Sequence, residues 1–279
     1  MRFPGGYAKP RKAAIAVLIG LGLVLQGGAG CAAAEKARTA QVDGRAVAYN
    51  VLGSGKPTLV LISGLGNGME TFTVVAPELA KSATVIVYDR AGYGGSAKPE
   101  GARDAAGVDR ELTALLAAAG EPGPYILVGH SNGGLYAEYF ASKHPELVAG
   151  LVLEDSRPAD YGRRCHVAGL EPCTPTPDMV RSAPAGEQAE VAGLETAFTQ
   201  VEAITPVTGK PVLVLSRFLP ASPKPFDRLW GQAQDDLAGR YAGSTHLRAP
   251  GGGHYIHKDQ KVWFVTTLQA WMQRVGARS

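Results

Sequence analysis

The sequence lacks a marked excess of charge of either sign. It holds 28 Lys and Arg residues against 25 Asp and Glu residues, a formal net charge of +3 in 279 residues. Four of the basic residues and none of the acidic ones lie in the first 34 positions, so the remainder carries a net charge of −1. Binding of nucleic acid needs concentrated positive charge. The sequence therefore gives no electrostatic support for a nucleic-acid partner.

A hydrophobic run long enough to span a membrane is also lacking near the amino terminus. The apolar stretch from Ala13 to Leu25 has 13 residues, whereas a helix needs about 20 to cross a bilayer. A basic segment precedes this stretch and a run of small residues follows it, which is typical of an export signal. We therefore predict a signal peptide over residues 1–34 and a single folded domain over residues 35–279.

Two ways of processing this signal are open. Cleavage after Ala34 would release a soluble protein, secreted or periplasmic. The segment Gly28-Ala-Gly-Cys31 instead resembles a bacterial lipobox, in which Cys31 would carry the lipid and anchor the protein to a membrane of the cell envelope. The lipobox departs from its usual pattern at Gly28, where leucine is typical. Both outcomes predict an exported protein.

Cysteine is scarce, with three residues in the chain. Once Cys31 is assigned to processing, Cys165 and Cys173 remain, eight residues apart in a stretch rich in proline and polar residues. In an exported protein such a pair favours a disulfide bond, and two free thiols are the alternative. His166 is the only nitrogen ligand close to them in the sequence, so a metal site there is poorly supported.

Short apolar segments alternate with helical patterns along most of the chain. Residues Arg38 to Leu52 alternate in hydrophobicity around Asp43-Gly44, which predicts a β-hairpin. Later segments are continuous apolar runs, typical of parallel strands buried on both faces. These predicted strands are Thr58–Ile62, Ala83–Tyr88, Tyr125–Val128, Leu151–Leu153, Val212–Leu215 and Thr245–Arg248. The pattern predicts an α/β fold with a mostly parallel central sheet flanked by helices.

One insert interrupts this alternation, at about residues 156–210. It contains Cys165 and Cys173, a proline cluster and a helical pattern. The apolar face of that helix consists of Val191, Leu194, Phe198 and Val201. We expect a small cap, or lid, that covers the strand ends and lines a substrate pocket. The alternative is that this apolar face only packs the insert onto the sheet.

The segment Gly129-His-Ser-Asn-Gly133 joins a predicted strand directly to a helical pattern. A serine on so tight a turn exposes its hydroxyl where the helix amino terminus points backbone N–H groups. Glycine suits positions 129 and 133 because a side chain there would crowd the turn. Ser131 is therefore the predicted nucleophile.

Four glycine-rich motifs, each after a predicted strand, resemble those of the α/β-hydrolase superfamily in order and spacing. They are Ser63-Gly-Leu-Gly66, Tyr88-Asp-Arg-Ala-Gly-Tyr-Gly-Gly-Ser96, Gly129-His-Ser-Asn-Gly133 and Gly252-Gly-His254. The resemblance extends over about residues 40–275 and implies a serine esterase or lipase-like hydrolase. It implies that His254 is the base that activates the nucleophile, with His257 as the alternative. It also implies an oxyanion hole made of the backbone N–H groups of Leu65 and Asn132.

The triad acid departs from the commonest pattern of the superfamily. Most members carry it in the loop after the seventh strand, which here begins at Ser216 and has no carboxylate until Asp227. A minority carry it directly after the sixth strand, where this sequence has Asp155. We favour Asp155 as the acid that orients His254, with Asp227 as the alternative. Glu154 should point to the opposite face of its strand.

The tight turn at Gly129–Gly133 is the nucleophile elbow. A serine at this elbow argues against dehalogenase and epoxide hydrolase chemistry, because those relatives attack with an aspartate. We therefore expect hydrolysis of a small carboxylic ester through an acyl-enzyme intermediate. Amide or carbon–carbon hydrolysis would use the same residues, and a non-catalytic ligand-binding protein is the alternative from another class. No nicotinamide, phosphate or metal motif is present in the sequence, so we expect no cofactor.

Overall fold

The structure is a computed structural model that describes residues 37–276. The predicted signal peptide at residues 1–34 and the lipidation candidate Cys31 lie outside the described residues. Between residues 37 and 276, none of the helices combines the length and the apolar character needed to cross a membrane.

The described chain opens with the predicted β-hairpin, formed by β1 (Arg38–Val42) and β2 (Arg45–Leu52). Asp43 and Gly44 form its two-residue turn, with φ angles of 48° and 75°. A tight hairpin of this kind requires positive φ at both turn positions, and Asp and Gly are among the residues that adopt it most readily. The hairpin prediction is confirmed.

Six more strands extend the hairpin into an eight-stranded sheet. They are β3 (Thr58–Ile62), β4 (Thr84–Tyr88), β5 (Tyr125–His130), β6 (Val148–Glu154), β7 (Val212–Ser216) and β8 (Thr245–Arg248). The strand order is β1-β2-β4-β3-β5-β6-β7-β8. Strand β2 pairs antiparallel with β4, and all pairs from β4 to β8 are parallel. The carboxyl ends of β3 to β8 therefore meet at one edge of the sheet, where α/β folds place their sites.

Helices cover both faces of the sheet. They are α1 (Ala76–Leu79), α2 (Ala105–Ala119), α3 (Asn132–Lys143), α4 (Tyr161–Val167), α5 (Ala185–Glu202), α6 (Pro225–Gly239), α7 (Ile256–Asp259) and α8 (Lys261–Gly276), with short 3-10 helices at Met69–Phe72 and Pro145–Leu147. Successive strand residues face opposite sides of a sheet. Accordingly Val60 of β3 joins a core with α2, α3 and α5, whereas Leu61 joins a core with α1 and α8. The predicted fold class is confirmed.

Strand β8 differs from the expectation that each later strand is buried on both faces. Its four residues are half-buried or exposed. The physical reason is its place at the edge of the sheet, where it pairs with β7 alone. Its sequence, Thr-His-Leu-Arg, is correspondingly polar at three of four positions.

The insert between β6 and β7 carries α4 and α5. Cys165 of α4 is bonded to Cys173, and their Cα atoms lie 6.1 Å apart. The predicted apolar face of α5 is buried, and three of its residues, Leu194, Phe198 and Val201, belong to the core that includes α2 and α3. Packing onto the rest of the fold therefore accounts for these three side chains.

Candidate active site

Ser131 occupies the turn between β5 and α3, with φ 53° and ψ −122°. A residue other than glycine is strained in this conformation and needs surrounding structure to hold it there. Its N–H donates to the Glu154 carbonyl (3.1 Å), and its carbonyl accepts from the Arg157 N–H (3.1 Å). A side chain at Gly133 would collide with the Ile62 carbonyl. The turn is thus the strained, closely packed elbow that the sequence motif predicts.

His254 lies in the loop between β8 and α7 and faces Asp155, the residue that follows β6. His254 Nδ1 is 2.6 Å from Asp155 Oδ2. The Asp155 side chain is fully buried, whereas that of His254 is 29% exposed. A carboxylate accepts hydrogen bonds, so the contact fits a proton on Nδ1 and leaves a lone pair on Nε2. Within residues 37–276, neither His254 Nε2 nor Ser131 Oγ has a hydrogen-bond partner.

Asp155 receives hydrogen bonds from two further residues. Arg217 donates from its backbone N–H to Oδ1 (3.0 Å) and from Nε to Oδ2 (2.8 Å), and Trp230 donates from Nε1 to Oδ1 (2.9 Å). Burial acts to raise the pKa of Asp155. The hydrogen bond with His254 and the charge of Arg217 outweigh burial and hold that pKa below its ordinary value. Asp155 is therefore an ionised carboxylate held in one orientation.

Sequence reasoning missed the part that Arg217 plays. Its guanidinium carbon lies 4.7 Å from the centre of the Trp230 ring, and Nη2 lies 3.2 Å from His254 Nδ1. Arg217 stands at the start of the loop after β7, where the commonest superfamily pattern has its acid. The sequence offered one signal for this role, the cation Arg217 in that loop. An acid that stands at the end of β6 instead of in that loop would lie beside this cation.

The two alternative residues are placed elsewhere. His257 is fully buried, with Nδ1 2.7 Å from Glu154 Oε1 and Nε2 3.2 Å from Thr71 Oγ1. Both of its nitrogens are thus occupied by partners other than Ser131. Asp227 lies in the first turn of α6, and in the described part of the chain it forms neither a hydrogen bond nor a salt bridge with His254.

His130, Glu154 and His257 form a buried cluster behind the elbow, with one ligand atom of each within 4.8 Å of the others. His130 Nε2 lies 2.9 Å from the His254 carbonyl oxygen, and burial lowers the pKa of His130 to about 4. A neutral His130 can donate this bond and steady the His254 loop. These residue types also bind zinc, but hydrogen bonds already occupy both His257 nitrogens, and zinc sites normally have four ligands. We interpret the cluster as a structural one that holds the His254 loop in place behind the elbow.

The loop after β3 carries Leu65, one of the two predicted oxyanion donors. A Cβ atom added at Gly64 would lie 3.0 Å from Ser131 Cβ, so this loop packs directly against the nucleophile. Asn132 is the first residue of α3. Within residues 37–276, the backbone N–H groups of Leu65 and Asn132 have no hydrogen-bond acceptor. Both donors are therefore available to a ligand at the elbow.

Comparison with known proteins finds similarity to part of the chain. A family model described as alpha/beta hydrolase fold matches residues 57–194. The uncharacterized protein YbdG of Bacillus subtilis (strain 168) is 33% identical over 122 residues, which cover 43% of this chain and 38% of that protein. Fluoroacetate dehalogenase of Burkholderia sp is 36% identical over 116 residues, which cover 39% and 37%. The matched segment thus spans well under half the length of these relatives.

Solved structures resemble the chain over most of its length. A thermophilic esterase from Thermogutta terrifontis superposes with a TM-score of 0.68 and 23% identity, covering 86% of this chain and 99% of that one. The enol-lactonase from Burkholderia xenovorans LB400 superposes with a TM-score of 0.60 and 18% identity, covering 85% and 100%. At these identities the likeness concerns the fold.

Proposed function

We propose that this chain, a member of the α/β-hydrolase superfamily, is a serine hydrolase that cleaves carboxylic esters. One observation carries the proposal. A buried, ionised Asp155 holds His254 by a 2.6 Å hydrogen bond, and the strained Ser131 also lies at the carboxyl ends of the parallel strands. An acid that orients an imidazole as the base for a serine hydroxyl is the arrangement that activates this kind of nucleophile.

In the first half of the reaction, Ser131 Oγ attacks the ester carbonyl carbon while His254 Nε2 takes the hydroxyl proton. The resulting imidazolium is stabilised by the carboxylate of Asp155. The tetrahedral intermediate then collapses, His254 gives its proton to the departing alcohol, and the acyl group stays on Ser131. In the second half, water repeats the attack with His254 again as base, which releases the acid and restores the serine.

The negative charge on the carbonyl oxygen is assigned to the backbone N–H groups of Leu65 and Asn132. Both groups lack a hydrogen-bond acceptor within the described residues, and Asn132 also begins α3, whose amino terminus favours negative charge. Loss of one such donor lowers kcat by about 10² to 10³ in serine hydrolases. Oxyanion stabilisation is therefore a large part of the proposed mechanism.

One matched relative is a fluoroacetate dehalogenase, and the nucleophile of this chain separates the two chemistries. Displacement at a carbon–halogen bond by a carboxylate forms an ester that water can hydrolyse. A serine alkoxide would form a stable ether in the same step. Ser131 therefore supports acyl transfer rather than halide displacement.

We also propose that the protein is exported. The basic, apolar and small-residue order of residues 1–34 supports this, and so does the bonded pair Cys165–Cys173, because disulfides persist in oxidising compartments. The intact mass of the protein from its native host distinguishes the two processing routes. A diacylglyceryl adduct on Cys31 indicates a lipoprotein, an amino terminus at residue 35 indicates release, and an uncleaved leader contradicts both.

Hydrolysis of p-nitrophenyl esters of increasing acyl length tests the enzymatic proposal. We expect turnover by the wild-type protein and loss to near the uncatalysed rate in Ser131→Ala and His254→Gln. The control is Ser156→Ala. Ser156 is a buried serine beside the elbow, and among residues 37–276 its hydroxyl bonds the Ser131 carbonyl alone (3.3 Å). Ester hydrolysis that survives in Ser131→Ala would refute the proposal.

A further inference from the structure

Arg90 lies two residues after β4, and its side chain is fully buried. All five of its N–H donors have acceptors, which is the full capacity of a guanidinium. Nε and Nη2 bind the two carboxylate oxygens of Glu190 at 2.6 Å and 3.0 Å. Nη1 binds the carbonyl and the hydroxyl of Ser63 at 2.6 Å and 2.9 Å, and Nη2 also binds the Gly64 carbonyl at 2.9 Å. Arg90 therefore joins Glu190 to the loop after β3, residues 63–66, which we call the oxyanion loop.

The bond to the Gly64 carbonyl bears on the oxyanion hole because that carbonyl and the Leu65 N–H belong to one peptide unit. A trans peptide is planar and its C=O and N–H point in opposite directions. Fixing the Gly64 oxygen on Arg90 therefore fixes the Leu65 N–H on the opposite side, away from Arg90. The same segment packs on the elbow, since a Cβ at Gly64 would lie 3.0 Å from Ser131 Cβ.

Glu190 belongs to α5 of the predicted cap and is fully buried. Its Oε2 accepts a hydrogen bond from the Tyr93 hydroxyl (3.0 Å), and that hydroxyl accepts one from the Gly66 N–H (3.1 Å). Burial and the charge of Glu190 raise the pKa of Tyr93, so its hydroxyl remains a donor. One cap carboxylate thus reaches the oxyanion loop by two routes, through Arg90 at residues 63 and 64 and through Tyr93 at residue 66.

We infer that Arg90 is a positioning residue for the oxyanion hole, and that Glu190 of α5 holds it in that role. The inference rests on the proposed function of Ser131. Arg90 does not touch the substrate; it sets the direction of the Leu65 N–H through the Gly64 carbonyl. If α5 moved so that Glu190 no longer bound Arg90, Arg90 would no longer hold the Gly64–Leu65 peptide. Stabilisation of the tetrahedral intermediate would then weaken.

Two variants test the inference. Arg90→Lys keeps the charge but loses the planar fork that binds two carbonyls and a carboxylate together. The double variant Arg90→Leu/Glu190→Leu removes both buried charges at once, a change that proteins often tolerate without loss of stability. The control is Arg103→Lys. Arg103 is a buried arginine paired with Glu111 (2.8 Å), and within residues 37–276 the Arg103 side chain makes no hydrogen bond to the oxyanion loop.

Three readouts separate positioning from simple structural support. If Arg90 positions the hole, kcat for a p-nitrophenyl ester falls about 10- to 100-fold in both variants, less than the loss of a whole donor, with KM nearly unchanged. Affinity for a trifluoromethyl ketone, which forms an oxyanion on Ser131, falls by the same factor as kcat/KM. Arg103→Lys lowers the melting temperature and leaves both quantities unchanged. Variants that melt earlier yet keep wild-type kcat and ketone affinity would overturn the inference.

A crystal structure of the double variant provides a readout that does not depend on activity. We expect the Gly64–Leu65 peptide to rotate or to adopt more than one orientation. A peptide that keeps the wild-type orientation would overturn the inference even if the wild-type protein hydrolysed no ester. Failure of the wild-type protein to hydrolyse esters or bind the ketone would count against the proposed function instead, so the two failures are distinguishable.

Discussion

Replacement of Asp155 by Asn keeps the shape of the side chain and removes its charge. The carboxylate accepts four hydrogen bonds, two on Oδ1 from Arg217 and Trp230, and two on Oδ2 from Arg217 and His254. An amide has one oxygen, so in either orientation its NH₂ group faces two donors. Each buried donor left without an acceptor costs about 1–3 kcal/mol. Breaking the ion pair between a buried acid and the largely buried Arg217 costs about 3–5 kcal/mol in comparable sites.

The effect on turnover should be larger than the effect on stability. An asparagine at this position favours the wrong tautomer of His254, and the corresponding change in a serine protease triad lowers kcat about 10⁴-fold. That factor corresponds to roughly 5.5 kcal/mol of transition-state stabilisation. We expect Asp155→Asn to lower kcat by about 10³ to 10⁴ and stability by about 2–5 kcal/mol.

Steady-state hydrolysis of a p-nitrophenyl ester, measured well below the melting temperature of each variant, is the assay. The matched control is Asp227→Asn, which replaces the alternative acid, a half-buried residue in the first turn of α6. It should leave kcat within about twofold, because in the described part of the chain Asp227 makes no bond to His254. A tenfold or smaller loss in Asp155→Asn, or a comparable loss in Asp227→Asn, would refute the reasoning about the triad acid.

Two further predictions concern stability. Burial lowers the pKa of His130 from 6.5 to about 4. Between these pH values the unfolded chain binds more protons than the folded protein. The free energy of unfolding therefore falls as pH drops from 6.5 to 4, by roughly 3 kcal/mol from this group. Urea unfolding at pH 4.5 and pH 7 should show a smaller difference for His130→Gln than for wild type, and an equal difference would contradict this assignment. Replacing Cys165 and Cys173 together by serine should lower stability by about 2–3 kcal/mol, the closure entropy of so short a loop. Urea unfolding of the oxidised wild-type and double-serine proteins tests this, and identical midpoints would count against a stabilising bond.

Much of the fold could be predicted because its signals are local. A few consecutive residues are enough to predict each of three features: the Asp43-Gly44 turn, the continuous apolar strands and the elbow at Ser131. Strand β8 was predicted at Thr245–Arg248, but its exposure was not, because its place at the edge of the sheet follows only from its pairing with β7 alone. His254 was predictable from the superfamily resemblance, which placed it after that last strand.

The ionic contacts around the site could not be predicted, because they join distant parts of the chain. Arg217 and Asp155 are 62 residues apart, and Arg90 and Glu190 are 100 residues apart. In a sequence each of these charges is equally consistent with a solvated surface residue. Only the fold shows that Arg90, Glu190 and Asp155 are fully buried and must therefore be paired.

Covalent capture tests the central claim, that Ser131 is the activated nucleophile, most directly. The purified protein is incubated with a fluorophosphonate probe, digested, and mapped by tandem mass spectrometry. We predict one phosphonyl adduct, on Ser131, that is absent in Ser131→Ala and forms far more slowly in His254→Gln. No adduct on the folded wild-type protein, or an adduct on another residue that persists in Ser131→Ala, would contradict the account.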